Sequence, residues 1–205
     1  MSDVIKYKGD LFQVIQRSKK CYVPLVEREQ EIDLVYELVK RPPGVRAIVV
    51  KDGQVLLNKE YRYELDAWDF RLPGGKVFDS LDAFSQIEEC KLMDLVKKKL
   101  VEELREEADI ETREFTLFDY SQAGLTVEWD LYYFLVSDFE LITFNTQKVE
   151  RKGEWEFIQQ CWLDYDTALQ YCLQKKIMEE RSVAVLLRFL LLEMSKGVES
   201  HVSES

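Results

Sequence analysis

The feature that most constrains this chain is a pair of segments. Leu72-Pro73-Gly74-Gly75-Lys76 is followed by Glu102-Glu103-Leu104-Arg105-Glu106-Glu107. Two successive glycines permit a tight turn and the close approach of other backbone. A helix through the second segment, at about 100° per residue, sets Glu103, Glu106 and Glu107 within an arc of about 100°. Leu100, Val101, Leu104 and Ala108 fill the neighbouring arc, so one stripe buries while the next gathers three negative charges. Charges so close repel, which is tolerable where they stay solvated or share a hard divalent cation such as Mg²⁺. The acidic helix alone is satisfied by a solvated face; the glycine turn upstream favours the cation.

Together the two segments resemble the Nudix box, G-x5-E-x7-R-E-U-x-E-E-x-G-U with U aliphatic. Gly75 takes the opening glycine, Glu103 the Glu after the Arg, Leu104 the aliphatic position, Glu106 and Glu107 the paired Glu, and Ile110 the closing aliphatic residue. Glu102 stands where the pattern has Arg, Asp109 where it has Gly, and Asp94 where it has the first Glu. About a dozen extra residues, around Asp79 to Cys90, lengthen the loop before the helix. Lys98, Lys99 and Arg105 are the cations available to replace the missing Arg.

Glu60-Tyr61-Arg62 and Trp68-Asp69-Phe70-Arg71-Leu72-Pro73-Gly74-Gly75-Lys76 resemble segments of the ADP-ribose pyrophosphatase branch. So do Ser121 to Glu128, with Ala123 for a proline, and Gly153 to Ile158. The likeness runs from about residue 35 to 192. It implies an α/β/α sandwich with a mixed sheet and a small N-terminal β appendage that pairs with a partner subunit, hence a homodimer. It also implies a cytoplasmic pyrophosphohydrolase using Mg²⁺, or Mn²⁺, held by Glu103, Glu106 and Glu107.

Further roles follow from the same resemblance. Gly74 and Gly75 shape the substrate site. Arg62 contacts the diphosphate or pairs with an acidic neighbour; Arg46, and with it Arg41, is a weaker candidate of the same kind. Glu128 assists the substrate loop. The general base lies on a late loop offering Glu150, Glu154 and Glu156, of which Glu154 is favoured and Glu156 follows. Glu106 belongs with the catalytic carboxylates. Tyr61, Tyr63 and Trp68 offer a stacking face for a base or are core. ADP-ribose is the leading substrate, giving AMP and ribose 5-phosphate. Nucleotide sugars are the nearest alternative, and a nucleotide-binding module without turnover is the alternative of another class.

Composition agrees with one well-buried domain: 205 residues, 46% hydrophobic and 33% charged. A net charge of −11 argues against a sequence-independent grip on nucleic acid. No apolar run reaches membrane-spanning length. Cys21, Cys90, Cys161 and Cys172 are scattered, as expected of reduced thiols, and the one histidine, His201, leaves zinc without a ligand set.

Pro42-Pro43-Gly44 marks the break between an N-terminal β-rich segment, 1–42, and a catalytic domain, 43–195; residues 196–205 are expected to be disordered. Val45 to Val50, an Asp52-Gly53 turn and Val55 to Leu57 read as a hairpin. Further strands are expected near 115–120, 129–136 and 157–162. Helices are expected over 81–108 (broken), 164–174 with Asp164 as N-cap, and 179–195.

Overall fold

The structure, a computed structural model, describes residues 2–24, 29–124, 126–142 and 158–202. Strands β1 (Ser2–Lys8), β2 (Gln13–Pro24) and β3 (Glu29–Lys40) form an antiparallel meander. Strands β4 (Gly44–Lys51) and β5 (Gln54–Arg62) form the expected hairpin, with Asp52 and Gly53 at φ 51° and 75°. Positive φ at both turn residues suits an Asp-Gly pair and matches the twist of the flanking strands. Then come β6 (Ala67–Arg71), α1 (Leu81–Ser85), α2 (Glu89–Ala108), β7 (Ile110–Ser121), β8 (Val127–Glu128), β9 (Leu131–Leu141), β10 (Ile158–Asp164), α3 (Tyr165–Leu173) and α4 (Glu180–Val202).

The central sheet has the order β10-β5-β4-β9-β7, with β6 pairing on β5. It is mixed: β4 and β9 run parallel, while their outer neighbours are antiparallel. Its middle strand is covered on both faces, which explains the apolar run Ala47 to Val50 of β4. On one face Val45, Ala47 and Val49 pack with Val96, Leu100, Leu104 and Ala108 of α2. On the other, Ile48, Val55 and Leu57 pack with Ala168, Cys172, Val185, Leu186 and Phe189 of α3 and α4. The expected sandwich is therefore present. Helix α3 begins as expected, with the Asp164 carboxylate accepting the Thr167 N–H at 2.7 Å.

Three details differ from the sequence reading. The two-residue strand β8 leaves the catalytic segment and pairs in parallel with β3, so the N-terminal sheet draws on both sides of the boundary at 42/43. Helix α4 continues to Val202, well past residue 195, where sparse apolar residues had suggested disorder. Segment 67–71, first noticed as a motif, is also a strand: it pairs Phe70 with Lys59 and Trp68 with Tyr61. The extra residues before α2 supply the short helix α1, capped by Ser80. That insertion docks on the N-terminal sheet through Lys8–Asp82 and through Leu81 N–H to the Asp10 carbonyl. Among the described residues no helix is long and apolar enough to cross a membrane.

Candidate functional site

The glycine turn lies along the start of β4. Val45 N–H donates to the Gly75 carbonyl at 2.9 Å and Ala47 N–H to the Pro73 carbonyl at 2.8 Å. This packing leaves no room for side chains. A Cβ on Gly74 would lie 2.2 Å from the Val45 carbonyl oxygen, and its φ of 141° is one that L residues rarely adopt. A Cβ on Gly75 would lie 2.3 Å from Glu103 Oε1.

Two carboxylates, one helical turn apart on α2, meet this turn. Glu107 Oε2 accepts the Gly74 N–H at 2.8 Å and an Asn58 Nδ2–H at 3.2 Å. Glu103 packs against Gly75 and pairs with Lys99 Nζ at 2.9 Å. Glu103 does not sit beside the apolar stripe, as the helical wheel suggested, but within it, 3% exposed among Val96, Leu100, Leu104 and Ala108. Val101 is half-buried, and Glu106 is exposed. Burial raises the Glu107 carboxyl well above its ordinary range, and the charges of Glu103 and Glu60 raise it further; the Gly74 N–H and Arg46 pull the other way. Of the three cations near position 102, Lys99 lies 2.9 Å from Glu103 and 3.6 Å from Glu102. Lys98 pairs with Glu102 and Arg105 with Glu111.

The helix ends at Asp109, in the left-handed conformation at φ 53°, so an Asp occupies the position where a glycine was expected. Gln160 on β10 donates to Asp109 Oδ2 at 3.1 Å and ties this end of α2 to the sheet.

The other candidates are distributed differently. Arg46 is buried, 6% exposed, and its guanidinium is spent on Glu179, at 3.1 Å, and on the Val45 carbonyl. Arg62 is held by Glu60 and Glu64, the acidic-neighbour alternative. Glu128 is bonded by Arg17 within the N-terminal sheet. Arg41 stacks on the Trp129 ring at 3.9 Å, with Arg181 also over that ring at 4.1 Å. Tyr61 packs edge-on against Tyr63 and Trp68. By strand alternation that aromatic group belongs to the face carrying Leu57, opposite Asn58 and Glu60. Glu150, Glu154 and Glu156 lie outside the described residues; Ile158, which follows them, pairs with Glu60.

Three residues were missed by sequence reading: Asn58, Glu60 and Glu179. Asn58 and Glu60 share a face of β5, and the one available signal was a polar Asn directly after Val55-Leu56-Leu57. Glu179 carried no local signal.

All donors near the turn are hard oxygens, the type suited to Mg²⁺ or Mn²⁺. One buried atom fits such a group directly: Asn58 Oδ1, beside Glu107, has no hydrogen-bond partner among the described residues. Among those residues no three carboxylates stand together as a ready-made cage. Glu103 and Glu107 are turned instead onto Lys99, Gly74 and Asn58.

No family model matches the chain, and no curated protein does. Among solved structures it is similar to an ADP compounds hydrolase, with a TM-score of 0.61 at 18% identity over 96% of each chain. It is also similar to the solution structure of the E. coli ORF135 protein, with a TM-score of 0.51 at 22% identity over 75% of this chain and 91% of that one. At these identities the likeness speaks for the fold: the chain has the Nudix fold, in the arrangement found in the ADP compounds hydrolase.

Proposed function

We propose that the protein is a divalent-cation-dependent pyrophosphohydrolase that splits the diphosphate of a nucleoside diphosphate derivative, with ADP-ribose as the leading substrate. The observation that carries this reading is the clasp of Glu103 and Glu107 on the Gly74–Gly75 turn. It is supported by the fold shared with an ADP compounds hydrolase.

Diphosphates resist hydrolysis because water must approach phosphorus through a shell of negative oxygens. A bound Mg²⁺ supplies charge neutralisation and a more acidic water. In this reading Glu103, Glu106 and Glu107 hold the cation. Burial, with the charges of Glu103 and Glu60, raises the Glu107 carboxyl, and a bound cation would relieve that cost. The Lys99–Glu103 pair and the Gly74 N–H hold two of these carboxylates, and cation binding would turn them from those partners. A general base must reach the attacking water. Glu154, then Glu156, remain the candidates, on the segment leading to the strand beside Glu60.

Product analysis tests the reading. Purified protein is incubated with Mg²⁺ and ADP-ribose, nucleotide sugars, dinucleotides or nucleoside triphosphates. AMP and ribose 5-phosphate as the fastest-formed products are expected. Faster cleavage of a nucleotide sugar would move the substrate assignment. Equilibrium binding of ADP-ribose without any product would replace the enzyme by a binding module.

A further inference from the structure

Asn58 is fully buried at the end of the apolar run Val55-Leu56-Leu57 of β5, which is an expensive place for a primary amide. Its two halves are unequally satisfied. Nδ2 donates to Glu107 Oε2 at 3.2 Å, whereas Oδ1 is buried with no hydrogen-bond partner among the described residues. The amide orientation follows from chemistry: the reverse flip would set two oxygens against each other beside a carboxylate. An unmet buried acceptor lowers stability, and a leucine of similar shape would remove that cost. Retaining the amide there therefore points to a use for it.

We propose, resting on the cation-dependent reading above, that Asn58 is a positioning and donor residue of the carboxylate site: Nδ2 fixes Glu107 and Oδ1 is an oxygen donor toward the cation. Two independent features support it. Asn58 Nδ2 lies 3.2 Å from Glu107 Oε2, the oxygen that also accepts the Gly74 N–H of the turn. Gln160, directly across from Asn58 on β10, anchors the same end of α2, so the strand pair grips the helix terminus from which Glu106 and Glu107 project. Groups that orient metal ligands in this way typically matter by 10–100-fold in affinity or activity.

The test compares wild type, Asn58→Leu and Asn58→Asp by calorimetric titration with Mn²⁺ alone, by melting temperature in chelator, and by turnover of the best substrate. For Asn58→Leu the expected result is a melting temperature in chelator no lower than wild type. Mn²⁺ affinity falls at least tenfold, and kcat falls while substrate KM is unchanged. Asn58→Asp keeps the shape and the donor oxygen but replaces the N–H that Glu107 accepts by a second oxygen. It is expected to keep Mn²⁺ affinity within about tenfold of wild type while kcat falls, and this arm decides the matter should the leucine variant fail to fold. Wild-type Mn²⁺ affinity and kcat in Asn58→Leu, or a wild-type kcat in Asn58→Asp, would overturn the assignment while leaving the hydrolase intact. A wild-type protein that neither binds Mn²⁺ nor turns over any substrate would remove the cation site and this inference together.

Discussion

Gly74 and Gly75 show how one local sequence carries two separable constraints. At Gly74 the obstacle is backbone, the Val45 carbonyl, combined with a strained φ. Gly74→Ala is therefore expected to cost about 3 kcal/mol in urea unfolding. At Gly75 the obstacle is the tip of the Glu103 side chain, which can swing aside. Gly75→Ala should stay within about 1 kcal/mol of wild type. It should still lose at least about tenfold in kcat, because a carboxylate displaced by an ångström no longer serves the site. Equal damage to stability by the two substitutions would contradict this division. The glycines and Glu103 were legible in the sequence because turn chemistry and helical spacing are local. That Glu103 would be buried was not, since the wheel gives an angle and no depth.

At the scale of elements, the site depends on contacts between segments far apart in the chain. Asn58 meets Glu107 from the facing strand, and Arg46 of β4 meets Glu179 just before α4. No periodicity reports such pairs; they follow from the crossing of strand and helix. Arg46, a candidate for the diphosphate or for an acidic neighbour, lies in a buried ion pair with Glu179.

The Glu179 pair makes a pH prediction. Burial alone would raise the Glu179 carboxyl, but the charge of Arg46 and hydrogen bonds from Ser182 and Arg46 outweigh it and hold it below its ordinary value of 4.5. A folded-state value below the unfolded one means the pair's full contribution is present above about pH 4.5 and is lost as the pH falls through the depressed value. Glu179→Gln should remove that acid-side dependence and cost roughly 3 kcal/mol near neutrality, because Arg46 is left buried without its counter-charge. Melting temperature against pH for both proteins checks it. A wild-type curve that stays level as the pH drops below 4.5 would contradict the pairing.

For the whole molecule, the mixed sheet between helices was legible from the order of elements and the family resemblance. The N-terminal sheet was legible as strands, but its borrowing of β8 was not, because two residues carry no pattern. Val4, Ile5 and Tyr7 of β1 and Val35 of β3 stand more than half exposed. Apolar residues concentrated on such a sheet mark a contact surface. A homodimer is accordingly expected in light scattering, and Val4→Lys with Val35→Lys is expected to shift it toward monomer. A wild-type protein that remains monomeric at high concentration would contradict it.

In the proposed reaction a cation held by the Glu103–Glu107 clasp drives diphosphate cleavage. Its most direct test is the rate of ADP-ribose turnover by wild type and Glu107→Gln, each with Mg²⁺ and with chelator, alongside unfolding curves. Glu107→Gln removes a repelled charge while keeping an oxygen to accept the Gly74 N–H. It is predicted to be as stable as wild type or about 1 kcal/mol more so, yet to lose Mg²⁺-dependent turnover by at least about a hundredfold. A folded Glu107→Gln variant that cleaves ADP-ribose at the wild-type rate, or wild-type cleavage undiminished by chelator, would rule out a cation held by these carboxylates.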